Sequence, residues 1–436
     1  MQKSARSSSL AFTIVLASAL MAQGQGRSGP GEPALPRADV TRPPHVTEIE
    51  IPAFPGSYAI WGATGRDARG HIWFGVSATA IETPSAHLFE YVPETGLTLD
   101  RGSVVDELRR AGILRSGEGQ MKIHTKIIQA DDGNLYFASM DEAGEDESGD
   151  RLPTWGSHLW RLRLPENRWE HLAAVPEGLI ALSGGGERIY ALGYFGHVLY
   201  QFDTRTSALR SVPVGSIGGH ISRNFIVDDR GHAYVSRLRW RTAQSTHAQP
   251  WQKPEQVTVT LVEFDAALRQ VGETRLEHYV SPVVYADHGI IGVVFVADRS
   301  MVLVTAVGHL YHIVPSVNGP AHVSPLGWFH PNGPAYTPAL FTTDGARYLV
   351  GIAMGSHSPN AIRPKMPFEW LVYDVASGKQ VAAPLPLTGL TCSGKAADVL
   401  LYGSITRDNA GTYYLAGRCI RQGKQYPVLL KVTDGS

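Results

Sequence analysis

The chain has 436 residues, with 39 Lys and Arg against 40 Asp and Glu, and a formal net charge of -1. This balance gives no electrostatic indication of a nucleic-acid partner and excludes the highly charged composition of a disordered chain. The length allows either several ordinary domains or one large all-β domain. The 46 glycines and 28 prolines are typical of a turn-rich β protein and favour the second possibility.

The first residues have the pattern of a secretory signal peptide. A basic start precedes an apolar run from Leu10 to Leu20, and small residues follow it. The run is too short for an ordinary membrane span, and no later stretch is apolar for long enough to form one. We therefore expect an exported protein, extracellular or periplasmic, with this division of the chain: signal peptide 1–22, flexible Gly/Pro/Arg-rich linker 23–45 and folded domain 46–436.

A recurring phrase predicts the fold. An Asp/Gly turn followed by alternating aromatic and β-branched residues predicts a β-hairpin, and a strand phrase such as HLFEY or HLWRL follows most of these turns. Regular four-stranded units of this kind predict an all-β, seven-bladed β-propeller, with an irregular sandwich as the alternative. The seven hairpin phrases begin at residues 66, 130, 183, 227, 296, 343 and 407.

The ends of the folded domain predict how the ring closes. The early strand VTEIEIPA, residues 46–53, can pair into the last blade beside PVLLKV, residues 427–432. Such closure leaves no long open sheet edge. Export also permits a disulfide between the two cysteines, Cys392 and Cys419. The alternative is a pair of buried thiols that pack as small apolar residues.

The register of the repeat predicts a functional face. In a four-stranded blade, the first residues of the innermost strand lie at the same channel mouth as the connection between the second and third strands. Long loops on a rigid scaffold are frequent binding sites, so we expect the long connections to wall a cleft over this mouth. The three long connections are about 141–157, 238–257 and 354–368.

Counting back eight or nine residues from the hairpin glycines predicts which side chains surround this mouth. The count gives Trp61, His124, Ser222 with Arg223, and Tyr336. An arginine entering an innermost strand needs an anionic partner or water, or else an internal ion pair. The two aromatic residues could stack on sugars or plug the channel.

Histidines divide into two groups. A repeated residue favours a packing role, although His158 and His197 keep a functional alternative because they should lie on the loop-rich face. His124 and His220 do not belong to the repeated phrase and are stronger functional candidates. The histidines that precede a third strand in the same phrase are His87, His158, His197 and His309.

Three further features admit two interpretations each. Tyr194 could offer its hydroxyl to the cleft or pack in the core. The acidic run 141–150 lacks the ordered spacing of a calcium loop, so a solvated loop is favoured over bound calcium. The basic and aromatic loop of blade four, which includes Trp240, suits an acidic saccharide or covers the scaffold. Motifs of the HExxH, phosphate-loop and GxSxG types do not occur in the sequence.

The phrases DDGNLYF and RGHIWFG, each followed by an HLF or HLW strand, resemble the repeats of streptogramin lyase-like propellers. His124, the HLW strand and GHISRNF also resemble the secreted seven-bladed polysaccharide lyases of the ulvan lyase group. That resemblance implies two histidines, matched by His124 and His158, and a carboxylate-neutralising arginine, matched by Arg223 with Arg210 as a rival. It also implies a tyrosine, matched by Tyr194 or Tyr200.

The sequence therefore leaves three functional hypotheses. The first is a monomeric polysaccharide lyase that performs β-elimination on an acidic, uronate-containing glycan and requires no cofactor. The second is a non-catalytic propeller that binds a glycan or a protein. The third is a streptogramin-type lyase or a glycoside hydrolase, and the predicted ring lacks the paired carboxylates that a hydrolase needs.

Overall fold

Seven antiparallel sheets, each with four strand positions, follow one another along the chain and form the blades of a propeller. This confirms the predicted all-β, seven-bladed fold. The computed structural model describes residues 43–144, 151–194, 197–217, 222–242, 250, 253–280, 289–296, 298–343, 347–354, 368–387, 390 and 399–433. The predicted signal peptide and nearly all of the predicted linker lie outside these residues.

The first three blades differ mainly in their innermost strands, because those of blades 1 and 2 are each split into two short segments. Blade 1 contains β2 (Ser57–Ala59), β3 (Thr64–Arg66), β4 (Ile72–Ala78), β5 (His87–Val92) and β6 (Leu97–Ser103). Blade 2 contains β7 (Lys122–Ile123), β8 (Ile128–Gln129), β9 (Leu135–Met140), β10 (Ser157–Arg163) and β11 (Arg168–Val175). Blade 3 contains β12 (Leu179–Gly184), β13 (Arg188–Gly193), β14 (Val198–Asp203) and β15 (Leu209–Pro213).

The remaining blades keep the same order of strands. Blade 4 contains β16 (Ile226–Val227), β17 (Ala233–Trp240), β18 (Val257–Phe264) and β19 (Gln270–Leu276). Blade 5 contains β20 (Ile290–Phe295), β21 (Met301–Thr305), β22 (His309–Val314) and β23 (His322–Trp328). Blade 6 contains β24 (Ala339–Thr343), β25 (Tyr348–Met354), β26 (Phe368–Asp374) and β27 (Gln380–Pro384). Blade 7 contains β28 (Val399–Arg407), β29 (Tyr413–Arg421), β30 (Lys424–Thr433) and β1 (His45–Ile49).

The last blade combines strands from both ends of the described chain. β1 pairs antiparallel with β30, from His45 opposite Thr433 to Ile49 opposite Leu429. β1 begins one residue earlier than the folded domain expected from the sequence. The pairing supplies the fourth strand of blade 7, so the ring needs no additional element to close.

Hydrophobic cores lie between the blades rather than inside one central body. Seven clusters of buried apolar residues fill the spaces between successive blades, including that between blades 7 and 1. Inner strands therefore bury both faces, as in β4, where all seven residues from Ile72 to Ala78 are buried. Outer strands such as β19 are mainly exposed. This gradient explains why the second strand of each blade is the most apolar in the sequence.

The hairpin phrase has a physical cause in its aspartate. In blade 4, Asp228 accepts the backbone N–H groups of Arg230 and His232 at 2.9 Å each and the hydroxyl of Tyr234 at 3.0 Å. Gly231 has φ of 76° and completes the turn. Equivalent bonds join Asp67 to the Trp73 indole, Asp132 to Tyr136 and Asp408 to Tyr414.

Two of the three long connections are partly described, and strand ends bound all three. β9 ends at Met140 and β10 begins at Ser157, while β17 ends at Trp240 and β18 begins at Val257. The third connection, 355–367, lies outside the described residues. The only described α-helix, α1 (Val104–Arg110), joins blades 1 and 2. Nowhere in the described part of the chain is a helix long and apolar enough to span a membrane.

Candidate functional site

A narrow pocket opens at the channel mouth between the starts of four innermost strands. Its base has room for about one water-sized group. Three of the residues predicted by counting back from the hairpin glycines line it together, namely Trp61, His124 and Arg223. The remaining lining residues are Gly62, Lys126, Ile180 and Asn224. The described lining therefore contains two cations and one imidazole, and it contains no carboxylate.

The segment KIHTK of blade 2 supplies most of the polar side chains at this mouth. Ile123 and Thr125 are fully buried, and the Thr125 hydroxyl accepts the backbone N–H of Ala138 at 2.8 Å. These contacts hold the backbone on both sides of His124. His124 itself is 6% exposed, so it lies within the mouth rather than on the outer surface.

Gly62 places blade 1 against His124. A Cβ atom at position 62 would lie 2.5 Å from the backbone oxygen of His124 and 3.1 Å from its Nδ1 atom. Only a residue without a side chain fits at this distance, because real Cβ atoms do not approach backbone oxygens so closely. The absence of a side chain at position 62 is therefore part of how the imidazole is positioned.

Trp61 and Tyr402 form the aromatic wall of the mouth. Their ring centres are 4.5 Å apart, and the Trp61 indole donates to the Tyr58 hydroxyl at 2.9 Å. The guanidinium carbon of Arg223 lies 5.4 Å from the Tyr402 ring centre, and that of Arg418 lies 5.1 Å from Trp61. Such distances are typical of cation–π contacts. Blades 1, 4 and 7 are thus connected across the mouth.

Positive charge accumulates around this wall. The Lys122 ammonium lies 4.5 Å from the Trp61 ring centre and forms an ion pair with Glu142, in the long connection of blade 2. This contact shows that the connection rises on the same face as the pocket. Desolvation by burial lowers the pKa of Lys126 to about 8. Lys126 has no hydrogen-bond or ion-pair partner among the described residues.

His158 does not line the pocket. Its two ring nitrogens lie 2.9 Å from Glu118 Oε1 and 2.9 Å from His171 Nε2, in a buried network within blade 2. Burial first, together with the charge of His158, lowers the pKa of His171 to about 4. The network fastens the chain before β7 to the third and fourth strands, which is a structural role. The proposed pairing of His158 with His124 is therefore not supported by the geometry.

The tyrosines matched by the family resemblance also lie elsewhere. Tyr194 packs against the apolar cluster between blades 3 and 4. Tyr200 is buried, and its hydroxyl lies 3.4 Å from Glu177. Burial and that carboxylate raise the pKa of Tyr200. Arg210 lies on the exposed strand β15, where it donates to the backbone oxygen of Ala267 at 2.9 Å.

Three other predicted binding residues, His197, Tyr336 and Trp240, are not among the residues that line the pocket. His197 is buried, with φ of 50°, and its backbone oxygen accepts from Val214 at 2.9 Å. Tyr336 packs against the cluster between blades 6 and 7. Trp240 packs against the cluster between blades 4 and 5. His220 lies outside the described residues.

The repeated histidines have scaffold contacts, as the repeat predicted. His87 Nδ1 lies 2.8 Å from Asp100 and its ring stacks on Phe54 at 3.9 Å. His309 packs against His278 and Trp328, with ring centres 4.7 and 4.9 Å away. Ser222 has a similar scaffold role, since its hydroxyl accepts the backbone N–H of Ile290 at 3.1 Å.

One further cluster has the composition of a metal site. Asp67, His71 and Glu90 place three ligand atoms within 4.8 Å of one another. The Arg69 guanidinium, however, donates to Asp67 at 2.6 Å and to Glu90 at 3.0 Å. Blade 4 contains an equivalent cluster, formed by Asp228, Arg230, His232 and Glu263. We interpret both clusters as structural contacts that connect the hairpin turn to the third strand of the blade.

Two other predictions concern segments that are only partly described. Residues 145–150 of the acidic run and Cys392 lie outside the described residues. Asp141, at the start of the run, accepts the backbone N–H groups of Ala143 at 2.9 Å and Trp155 at 3.1 Å. Its oxygens therefore already organise the loop. The preference for a solvated loop over bound calcium stays a prediction, and the disulfide and the pair of buried thiols stay alternatives.

Comparisons with known proteins establish the fold and no family. No family model matches the sequence, and the search of curated proteins found no match. The extracellular domain of a hybrid two component system from B. thetaiotaomicron superposes with a TM-score of 0.51 at 12% identity. That match covers 89% of this chain and 39% of the other. U3-55K gives a TM-score of 0.51 at 10% identity, over 88% of this chain and 98% of that one. At these identities the likeness concerns the propeller alone.

Proposed function

We propose that this protein is an exported carbohydrate-active propeller that cleaves a uronate-containing glycan by β-elimination at the channel mouth. The observation that carries the proposal is that His124 and Arg223, from blades 2 and 4, line one pocket whose described lining has no carboxylate. Export rests on the signal peptide predicted for residues 1–22. An acidic glycan suits a mouth where four cations lie among aromatic rings.

The chemistry needs three functions. A base removes the proton from the carbon next to the carboxylate, and the electron pair forms a double bond as the bond to the leaving sugar oxygen breaks. That oxygen then takes a proton. Arg223 would neutralise the carboxylate and stabilise the negative charge that develops on it. His124 would take the proton, and the Tyr402 hydroxyl would return one to the leaving oxygen.

The size of the pocket suits recognition of an acid group. Its base admits about one water-sized group, which fits the end of a carboxylate and not a sugar ring. The sugar chain would then lie across the mouth, beside the connection that carries Glu142. A glycoside hydrolase is disfavoured because it requires two carboxylates at its cleavage point, and the described lining has none.

The test is a set of lyase assays on the purified protein. Polygalacturonate, alginate and hyaluronan are incubated with it, and the ultraviolet absorbance of the unsaturated product is followed. We expect product with at least one of these polymers and its loss in His124→Ala and Arg223→Ala. Arg210→Ala is the matched comparison and should retain activity. Binding without product would identify a non-catalytic glycan-binding propeller, and full activity in both site variants would refute the assigned roles.

A further inference from the structure

Lys126 is a charged lining residue of the pocket that the proposed chemistry does not use. It follows His124 by two residues in the irregular segment between β7 and β8, and both residues line the pocket. Lys122 precedes His124 by the same spacing but pairs with Glu142. Lys126 has no such partner in the described part of the chain. A desolvated ammonium group without a counter-ion is unfavourable unless a ligand supplies the negative charge.

We propose that Lys126 is a second ligand-binding cation, so that the substrate carboxylate lies between its ammonium group and the Arg223 guanidinium. The identity of the ligand rests on the proposed function. The inference itself concerns a residue that neither the repeat nor the family resemblance singles out. It also explains why a pocket this narrow contains two cations: both can contact the same small anionic group.

The charge state of Lys126 makes the inference measurable. Burial lowers the pKa of Lys126 to about 8, so in the empty pocket it is largely neutral at about pH 9 and protonated at about pH 6. A bound carboxylate favours the charged form and raises the pKa. When the carboxylate binds, Lys126 should therefore take up a proton at about pH 9 and none at about pH 6. The other charged or titratable groups at this mouth are Lys122, His124, Glu142, Arg223, Arg418, Tyr58 and Tyr402.

His124 is a titratable neighbour of Lys126 in the pocket lining. The comparison with Lys126→Met separates the two residues, because proton uptake by His124 would persist when Lys126 is replaced. Arg223 and Arg418 stay charged between about pH 6 and about pH 9. Proton uptake in alkaline solution that is lost in Lys126→Met therefore distinguishes Lys126 from its neighbours, Lys122 included.

The experiment is titration calorimetry of the full protein with free D-glucuronate, and with neutral D-glucose as the control ligand. Measurement in two buffers of different ionisation enthalpy gives the number of protons taken up. The wild-type protein should take up nearly one proton per bound glucuronate at about pH 9. Lys126 should take up none at about pH 6. Lys126→Met should bind at least about tenfold more weakly at about pH 6 and show no uptake. Lys126→Arg should keep binding without uptake, because arginine is always charged.

One control variant and a parallel cleavage assay separate this inference from the proposed function. Lys379→Met, in an exposed turn of blade 6, should behave like wild type. Unchanged uptake or unchanged affinity in Lys126→Met overturns the inference, as does wild type that cleaves a polyuronate but does not bind glucuronate. Alkaline proton uptake without any cleavage supports the inference and refutes the lyase function. If the protein shows neither glucuronate binding nor polyuronate cleavage, both the inference and the proposed function are refuted.

Discussion

The guanidinium carbon of Arg223, in blade 4, lies 5.4 Å from the ring centre of Tyr402, in blade 7. These residues are distant along the chain and meet only because the ring of blades is closed. Tyr402 is 7% exposed and also contacts Trp61. The aromatic ring therefore contacts residues on both sides of the pocket, and in the proposed reaction its hydroxyl would be the proton donor.

Tyr402→Phe separates these two roles because it removes the hydroxyl and keeps the ring. We expect kcat on a uronate polymer to fall by about a hundredfold or more, as for loss of a general acid, with KM nearly unchanged. Tyr194→Phe, the substitution suggested by the family resemblance, should leave kcat unchanged. Steady-state kinetics of both variants check this, and the opposite ranking would restore Tyr194 as the acid.

The repeat predicts residues of the channel mouth because each lies at a short, fixed distance along the chain from a hairpin glycine. Trp61, His124 and Arg223 were found by counting back eight or nine residues from a hairpin glycine, and they line one pocket. The same count from Gly411 gives Tyr402, so blade 7 contained the signal as well. Lys126 lies in the irregular segment between β7 and β8, so the strand pattern does not predict that it lines the pocket. Tyr336 follows the same count but packs into a core, because register alone does not determine which way a side chain turns.

His158 and Tyr200 are matched to catalytic positions by the sequence, but in the structure each contacts a carboxylate that no local sequence pattern predicts. His158 was matched to a catalytic position, but its partner Glu118 belongs to the chain before β7. Tyr200 is an alternative match for the catalytic tyrosine in the sequence, but its hydroxyl lies 3.4 Å from Glu177. Such pairs join residues separated by loops of irregular length, so spacing in the sequence does not predict them.

Gly62→Ala tests whether close packing of blade 1 positions His124. The added Cβ would lie 2.5 Å from the His124 backbone oxygen, so His124 must move. A displacement of about 1 Å at a catalytic group can cost about a hundredfold in rate, and we expect a comparable fall in kcat. Gly186→Ala is the matched control, since its Cβ would meet only Asp131 at 3.5 Å. Full activity in Gly62→Ala would show that His124 tolerates the shift.

Glu118 should make stability depend on pH in the acidic range. Burial alone would raise its pKa, but hydrogen bonds from Arg115 and His158 outweigh this and lower it to about 2. A lowered carboxyl pKa contributes stability above the unfolded value near 4.5, and that contribution disappears as the pH falls toward 2. Its full size is up to about 3 kcal/mol.

Urea unfolding at several pH values tests this expectation. Glu118→Gln should reduce the free energy of unfolding at neutral pH, and the difference from wild type should shrink as the pH is lowered. Glu166→Gln, in an exposed turn, is the control and should follow wild type throughout. A difference that is constant with pH would mean that Glu118 acts through packing and not through its charge.

Two adjacent aspartates test the origin of the hairpin phrase. Asp228 is 6% exposed and bonds to two backbone N–H groups and to the Tyr234 hydroxyl. Asp229 is 52% exposed and forms an ion pair with Arg299 on the surface. Asp228→Ala leaves buried donors without acceptors and should lower the free energy of unfolding by about 2 to 4 kcal/mol. Asp229→Ala should cost less than about 1 kcal/mol. Chemical denaturation measures both, and equal losses would mean that the recurring aspartate acts through charge alone and not through the bonds that shape the turn.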